Sequence, residues 1–354
     1  MKKLKSVLTV SVLAVFLLGG LLLHVLLPDG DVSKAERRKL FQFSEISSAD
    51  DLEEYLLDQF PGRDAFRTVK SLWTYYVLGQ KDNNGIALQN GSAAKLEAEL
   101  DEKQVQMFVD KFNSLQNKYF SDSKTSLVVI PDKGYYFQDH PKMDYVNMIE
   151  MLGSGLANMD VHSELFSVLS LTDYYKTDSH WRQEELQGVL GVLEQVLDVE
   201  LPDVGTYEQT ILEGFKGVYH GQAALPMKAE NLSYLENEVT AQAVVTGPEL
   251  KGEQPIYAPE KFDGMDGYDV FLHGAQAVLK LENPLAETEK ELILFRDSYG
   301  SSIAPLLLPA YKSITLVDMR YVNQMMLGNF VDFHGQDVLI LYSTTLINGA
   351  SILQ

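Results

Sequence analysis

The chain has no cysteine in 354 residues, which excludes disulfides, thiol catalysis and thiolate metal sites together. Positive charge is also scarce: 29 lysines and arginines stand against 50 acidic residues, a net charge of −21. A surface of that sign repels phosphate, so no nucleic-acid partner is expected, and close docking of the whole body on anionic lipid is disfavoured. The histidines at 140, 162, 180, 220, 273 and 334 show no paired ligand spacing, so no metal site is expected. Neither "GSGLANMD" nor "GQKDNNG" has the strand-to-glycine-loop pattern that cradles a phosphate. No metal or organic cofactor follows from the residues. Internal repeats and low-complexity tracts are missing too.

Charge is absent again near the N-terminus, where "MKKLK" precedes an uncharged run from Ser6 to Leu27. At about 1.5 Å of rise per residue that run spans a hydrocarbon core of roughly 30 Å. No A-x-A-like cleavage site stands before "PDGD", so an uncleaved anchor is expected in preference to a signal peptide. The lysines at 2, 3 and 5 should remain cytoplasmic. Residues 1–28 then form a cytoplasmic tip and transmembrane helix, 29–48 a polar tether, and 49–354 an extracellular domain held at the cell membrane.

Within that domain, "SADDLEEYLLDQF" carries a serine cap and first-turn acids, the marks of a short amphipathic helix. "FPGRDAFRTVKSLWTYYVLG" places Phe66, Val69, Leu72, Trp73 and Tyr76 at helical spacing after a Pro-Gly break. Arg63 and Asp64 read as structural residues there. Two Asn-Gly pairs in "KDNNGIALQNG" predict tight β-turns, and the apolar spacing from Leu96 to Tyr119 predicts a helix over 95–120. Later, "TSLVVIP", "ELILF", "KSITLVD" and "DVLILYS" are unbroken apolar runs separated by helix-length segments. Short strands buried on both faces and alternating with helices predict an α/β fold: a mostly parallel sheet with helices on both faces. The region near 205–274, with its turns and alternating "TAQAVV", reads as an insertion of small strands and loops.

Two stretches carry chemistry. In "LILFRDSYGSS", Ser298 stands at the carboxyl end of a central strand, the edge where open α/β sheets build their sites. The following helix start and its N–H groups can face an oxyanion, and Asp297 or Ser298 can equally serve as a helix cap. In "YKTDSHWRQEE", Asp178 and His180 stand two positions apart. A serine needs a base to take its proton, and the base needs an acid to fix its tautomer. Asp178 and His180 supply both if the turn bends the carboxylate onto the imidazole; otherwise Asp178 or Ser179 caps a helix. Arg320 in "DMRY" follows a strand at the same sheet edge, suited to gripping substrate or to pairing with Asp318. Tyr135, Tyr136, Phe137, Tyr174 and Tyr175 read as core, with a sugar-stacking platform as the alternative.

In combination, Asp-x-His-Trp upstream and Asp-Ser-Tyr downstream resemble the DHHW family, which belongs with SGNH-hydrolase-like proteins of the alginate O-acetylation type. The likeness extends through "ERRKL", "DQFPGRD", "VVIPDKGYY", "FLHGAQAVLKLEN", "LVDMRYV" and "VLILYSTTLING". Ser179 stands where the family name implies a second histidine. The resemblance implies an SGNH-like fold, with Ser298 as nucleophile, His180 as base and Asp178 as its orienting acid. Gly274 and Gln276 stand where the family tends to carry a Gly-Asn-like pair, which supplies an oxyanion N–H and a side-chain amide unless they form an ordinary turn; Arg320 and Tyr299 are the further oxyanion or substrate-binding candidates. The implied activity is O-acetyl transfer through an acetyl-serine to a cell-surface or secreted polysaccharide. The implied partner is a multi-spanning membrane O-acyltransferase that delivers the acetyl group. An O-acetylesterase, and a non-catalytic glycan-binding component of an acetylation complex, are the alternatives.

Overall fold

The computed structural model describes residues 2–354. Its contacts divide the chain into two compact units: Met1–Asn84 with His220–Pro226, and Gly85–Tyr219 with Met227–Gln354.

The first unit begins with α1 (Lys2–Leu26). Its segment Val7–His24 is long and apolar enough to cross a membrane, a description that an anchor and a signal sequence both meet. A short antiparallel pair, Val32–Ser33 with Arg38–Lys39, follows. Helix α2 (Ala49–Asp58) is capped by Ser48, whose hydroxyl accepts from the Asp51 N–H while the Asp51 carboxylate accepts from the Ser48 N–H. Gly62, at φ +75°, turns the chain into α3 (Arg63–Leu72). Arg38 grips the Asp58 carboxylate with both guanidinium arms, and Arg63 reaches Glu36 at 2.6 Å.

The second unit is a three-layer α/β body. Its sheet contains β1 (Thr125–Ile130), β2 (Asp160–His162), β3 (Val244–Thr246), β4 (Gln254–Pro255), β5 (Val278–Glu282), β6 (Glu291–Arg296), β7 (Ser313–Val317) and β8 (Asp337–Ser343), in the spatial order β4-β3-β5-β7-β6-β8-β1-β2. The five strands from β7 to β2 run parallel, and β5, β3 and β4 extend them in antiparallel fashion. The mostly parallel sheet predicted from the sequence is therefore present. Successive residues along each central strand feed different cores, as the pleat requires. Leu292 and Leu294 of β6 join Leu339 and Leu341 of β8 on one face. That face is covered by α6 (Gln187–Leu197) through Val189, Leu190 and Leu193, and by α7 (Gly300–Leu307) through Ile303 and Leu306. On the opposite face Ile293, Phe295, Ile340 and Tyr342 meet Phe108 and Phe112 of α4 (Glu102–Tyr119) and Met148 and Leu152 of α5 (Tyr145–Gly155).

Two local outcomes refine the sequence reading. The second Asn-Gly pair turns a hairpin, with Asn90 and Gly91 both in the left-handed region between Ile86–Gln89 and Ser92–Lys95. Helix α4 consequently starts at Glu102 and not near Lys95: residues 92–95 are spent on the hairpin, and Asp101 accepts from the Lys103 and Gln104 N–H groups as the cap. The region near 205–274 contributes a two-stranded ribbon, Glu208–Phe215 with Glu230–Glu236, and the sheet strands β3 and β4.

Candidate active site

Because β1, β6, β7 and β8 are parallel, their carboxyl ends share one edge, and the segments leaving them are tied together there. Asp297, just after β6, accepts from the Ser343 N–H at the end of β8 (2.9 Å) and from the Tyr299 N–H (3.1 Å). Asp132, just after β1, exchanges hydrogen bonds with Thr344 and accepts from the Tyr145 hydroxyl at 2.6 Å. Ser298 thus sits in a turn whose flanking residue is pinned to the neighbouring strand.

Facing it is a hairpin formed by residues 173–182. Tyr174 bridges Trp181, the Tyr175 N–H donates to the His180 carbonyl, and the Arg182 N–H donates to the Asp173 carbonyl. Asp178 is fully buried at the tip. One of its carboxylate oxygens takes the His180 ring at 2.6 Å and the His180 N–H at 3.1 Å, while the other takes the Val218 N–H at 2.8 Å. His180 Nε2 then lies 2.7 Å from Ser298 Oγ, across 118 positions of chain. An ionised carboxylate only accepts, so Nδ1 carries the proton facing Asp178. That leaves Nε2 of a neutral imidazole as the acceptor for the serine O–H. The structure brings Ser298, His180 and Asp178 into one hydrogen-bonded line.

No family model matches the chain, and no curated protein matches it. Solved structures do. A DHHW family protein from Eubacterium siraeum superposes with a TM-score of 0.64 at 19 % identity, covering 77 % of this chain and 94 % of that one. The chain folds as that DHHW protein does. PatB1 from Bacillus cereus gives a TM-score of 0.59 at 15 % identity, over 75 % and 97 % of the two chains. PatB1 with a sulfonyl adduct gives 0.56 at 16 % identity, over 74 % and 95 %.

Within this DHHW-like arrangement the tryptophan after the histidine has a definable task. Trp181 is fully buried, and its indole N–H donates to Ser302 Oγ at 2.8 Å. The Tyr268 hydroxyl donates to the same oxygen at 2.8 Å, and Gln183 donates to the Ser302 carbonyl at 2.6 Å. The first turn of α7 is thereby tied to the hairpin that carries the imidazole. Tyr268 also lies flat on His180, with centroids 3.8 Å apart and planes 9° from parallel. Tyr299 completes the clamp, its hydroxyl donating to the Ser179 carbonyl at 2.7 Å. Its side chain therefore ties the serine turn to the hairpin. Burial pushes both phenols well above the usual tyrosine range, so they remain donors.

The remaining expected residues are placed less uniformly. Arg320 spends its fork on Asp318, with Nε at 2.9 Å and Nη2 at 2.6 Å, so of its two sequence readings the ion pair is the one formed. Gly274 follows Leu272 and His273 in the left-handed region, and its own φ is +89°. Its N–H already donates to the Phe271 carbonyl at 3.1 Å. A Cβ at Gly274 would approach Asp269 Oδ1 to 2.4 Å, so only glycine fits. Gln276 Oε1 is buried without a hydrogen-bond partner among the described residues. Among the described residues, none accepts from the Ser298 N–H, while those of Tyr299, Gly300 and Ser301 are committed to Asp297 and Ser298. Of the aromatic set, Phe137, Tyr174 and Tyr175 are core. Tyr136 and Tyr174 line a cavity of about 610 Å³ beside the hairpin, together with Lys176, Arg182 and Glu230.

Lys133 is a participant that sequence reasoning passed over. It is 1 % exposed, and its Nζ donates to the carbonyls of Ala93 (2.6 Å), Tyr175 (2.5 Å), Lys176 (3.0 Å) and Asp178 (3.1 Å). Burial pushes its pKa down to about 7, against the opposing pull of Asp178 and Glu230. Glu230, from the inserted ribbon, accepts from the N–H groups of Lys176 and Thr177 at 2.8 and 2.7 Å. The hairpin is thus held by a lysine on its carbonyls and a carboxylate on its N–H groups. Neither residue advertises this role locally, because both act across more than 40 positions of chain.

Proposed function

We propose that the protein is a membrane-anchored, extracellular acyl-transfer enzyme that moves acetyl groups onto hydroxyls of a cell-surface or secreted polysaccharide. The observation that carries this reading is the Ser298–His180–Asp178 line, with contacts of 2.7 and 2.6 Å. Ser298 Oγ attacks the ester carbonyl of the donor as its proton passes to His180 Nε2. Asp178 stabilises the imidazolium that results. The tetrahedral intermediate expels the donor alkoxide, which takes that proton, and leaves the acetyl group as an ester on Oγ. A sugar hydroxyl, losing its proton to Nε2, then attacks the acetyl-serine; the acyl–Oγ bond breaks and Ser298 Oγ takes that proton back from Nε2, freeing the enzyme. Water in place of the sugar gives hydrolysis. The uncommitted Ser298 N–H supplies an oxyanion donor. The acidic surface favours a neutral or cationic acceptor. The cavity beside the hairpin, lined by Tyr136, Tyr174, Lys176, Arg182 and Glu230, has the aromatic and polar side chains suited to a sugar. Helix α1 would hold the domain beside the multi-spanning O-acyltransferase that delivers the acetyl group.

The test is incubation of the full chain with an aryl acetate, with and without oligosaccharides, read by mass spectrometry for acetyl gained by the sugar. Transfer predicts acceptor-dependent turnover, whereas an esterase releases acetate equally well without sugar. Ser298→Ala should lower kcat by about 10⁴–10⁶. A sulfonyl fluoride should label Ser298 in the parent chain and fail to label His180→Ala. Undiminished transfer by Ser298→Ala defeats the proposal.

A further inference from the structure

Helix α3 and the wide turn that extends it, Trp73–Val77, are built inside out. The residues this stretch buries are Ser71 and Thr74, 1 % and 6 % exposed. Ser71 Oγ accepts from Asn83 at 2.8 Å. Its arginines are likewise turned toward protein: Arg63 and Arg67 both reach Glu36, at 2.6 and 3.0 Å, and Arg67 also donates to the Gly221 carbonyl at 3.0 Å. The apolar residues point the other way. Phe66, Val69, Trp73 and Tyr76 recur at three- and four-residue intervals, which places them on one face. They are 48 %, 64 %, 56 % and 74 % exposed. A helix bathed in water does the reverse, hiding its apolar stripe and showing its charges. Trp and Tyr on such a face are the side chains that concentrate at membrane–water interfaces.

What covers this face follows from its place beside α1. The ring of Phe60 lies 3.5 Å from where a Cβ on Gly20 would stand, and Phe60 meets Phe66 ring to ring at 5.5 Å. Gly20 lies inside the apolar segment that ends at His24, about 6 Å below that end at 1.5 Å of rise per residue. Near the same end, the His24 ring stands edge-on to Tyr55 of α2 at 5.2 Å. A chain of ring contacts therefore sets the start of α3 at the depth where a bilayer's polar layer meets its hydrocarbon. We infer that the apolar face of α3 and its extension lies in the interfacial layer of the membrane that α1 enters. This is a second lipid contact, parallel to the surface, and it rests on the anchor reading of α1. The exposed face carries one cation, Lys70, which donates to Asn84 at 3.3 Å, and the helix's arginines are paired within the protein, so the contact depends mainly on apolar burial and little on anionic headgroups.

The chain has two tryptophans, and Trp181 is fully buried, so Trp73 is a built-in probe. The full chain is reconstituted in phosphatidylcholine vesicles carrying bromine at shallow or deep acyl positions, with Trp73→Phe isolating the Trp181 signal. The expected result is loss of Trp73 emission, greatest with shallow bromine, little affected by salt, and protection from aqueous iodide. Val69→Glu with Tyr76→Glu, both on the open face, should restore emission while the chain still floats with vesicles after alkaline carbonate washing. Trp73 that stays open to iodide and untouched by bromine overturns the inference. So does Trp73 shielded from both quenchers, which assigns the face to a protein or a second copy. In either case retained flotation leaves the anchor standing. A chain that fails to float removes the anchor and this inference together.

Discussion

Lys133 shows how one side chain sets a hairpin. It offers its Nζ to four carbonyls, one of them belonging to Asp178. Lys133→Met keeps the length but removes every donor, and each buried carbonyl left unpaired costs about 1–3 kcal/mol. Thermal unfolding should fall by roughly 10 °C or more, at some 2–4 °C per kcal/mol in a body of this size. The sign of the pH dependence also follows. In the folded state Lys133 loses its proton near pH 7, while the unfolded chain keeps it to about 10.4. Between those values the unfolded state binds more protons, so this residue makes stability rise with pH. Denaturant titrations at pH 7, 8 and 9, below the tyrosine range, should show that slope in the parent chain and its loss in Lys133→Met. Equal slopes in the two proteins would contradict the assignment.

At the scale of elements, the site depends on a close crossing. A Cβ at Gly217 would stand 2.3 Å from Asp178 Cβ and 2.4 Å from the Thr177 carbonyl, and the adjacent Val218 N–H holds the Asp178 carboxylate. Gly217→Ala should therefore push the acid off the imidazole. We expect kcat to drop by about 10² or more, the scale of a 1 Å misplacement, with KM for the acceptor nearly unchanged. An unaltered kcat would mean the segment yields without moving Asp178. The same scale shows what could be read from sequence. Strands β1, β6, β7 and β8 were legible because burial on both faces leaves nothing polar to interrupt them. The hairpin at 86–95 was legible through Asn-Gly chemistry. The start of α4 was not, since Leu96 and Leu100 fit a helical period while the Asp101 cap and strand pairing decide the boundary. Ser298, His180 and Asp178 stood out through the combined resemblance of Asp-x-His-Trp and Asp-Ser-Tyr to the DHHW family; each stretch alone was equally compatible with a helix cap. Tyr268, Ser302, Glu230 and Lys133 did not, because their hydrogen-bond partners are set by the fold and not by neighbours in sequence.

The whole molecule carries 21 more negative than positive charges. An acceptor rich in carboxylates must approach against that field, which salt screens over about 8–10 Å. Raising salt from low to physiological strength should increase kcat/KM for an acidic oligosaccharide several-fold and leave a neutral one nearly unchanged. Initial-rate kinetics across a salt series checks this. A fall with salt for the acidic acceptor would instead identify a local basic groove, for which Lys176 and Arg182 are placed.

Tyr268 lies almost parallel to His180, one ring-thickness away, while His180 is pinned at both nitrogens. An aromatic face is electron-rich, so the sheet of charge beneath the imidazole is most welcome when the ring becomes cationic. In the proposed acyl transfer, the tyrosine would thus do little for the resting base and more for the imidazolium formed midway through each step. It also leaves the imidazole no room to swing. On the proposed mechanism substrates would have to come to the base, and any that cannot present their oxygen along that fixed line would be refused by geometry before chemistry begins.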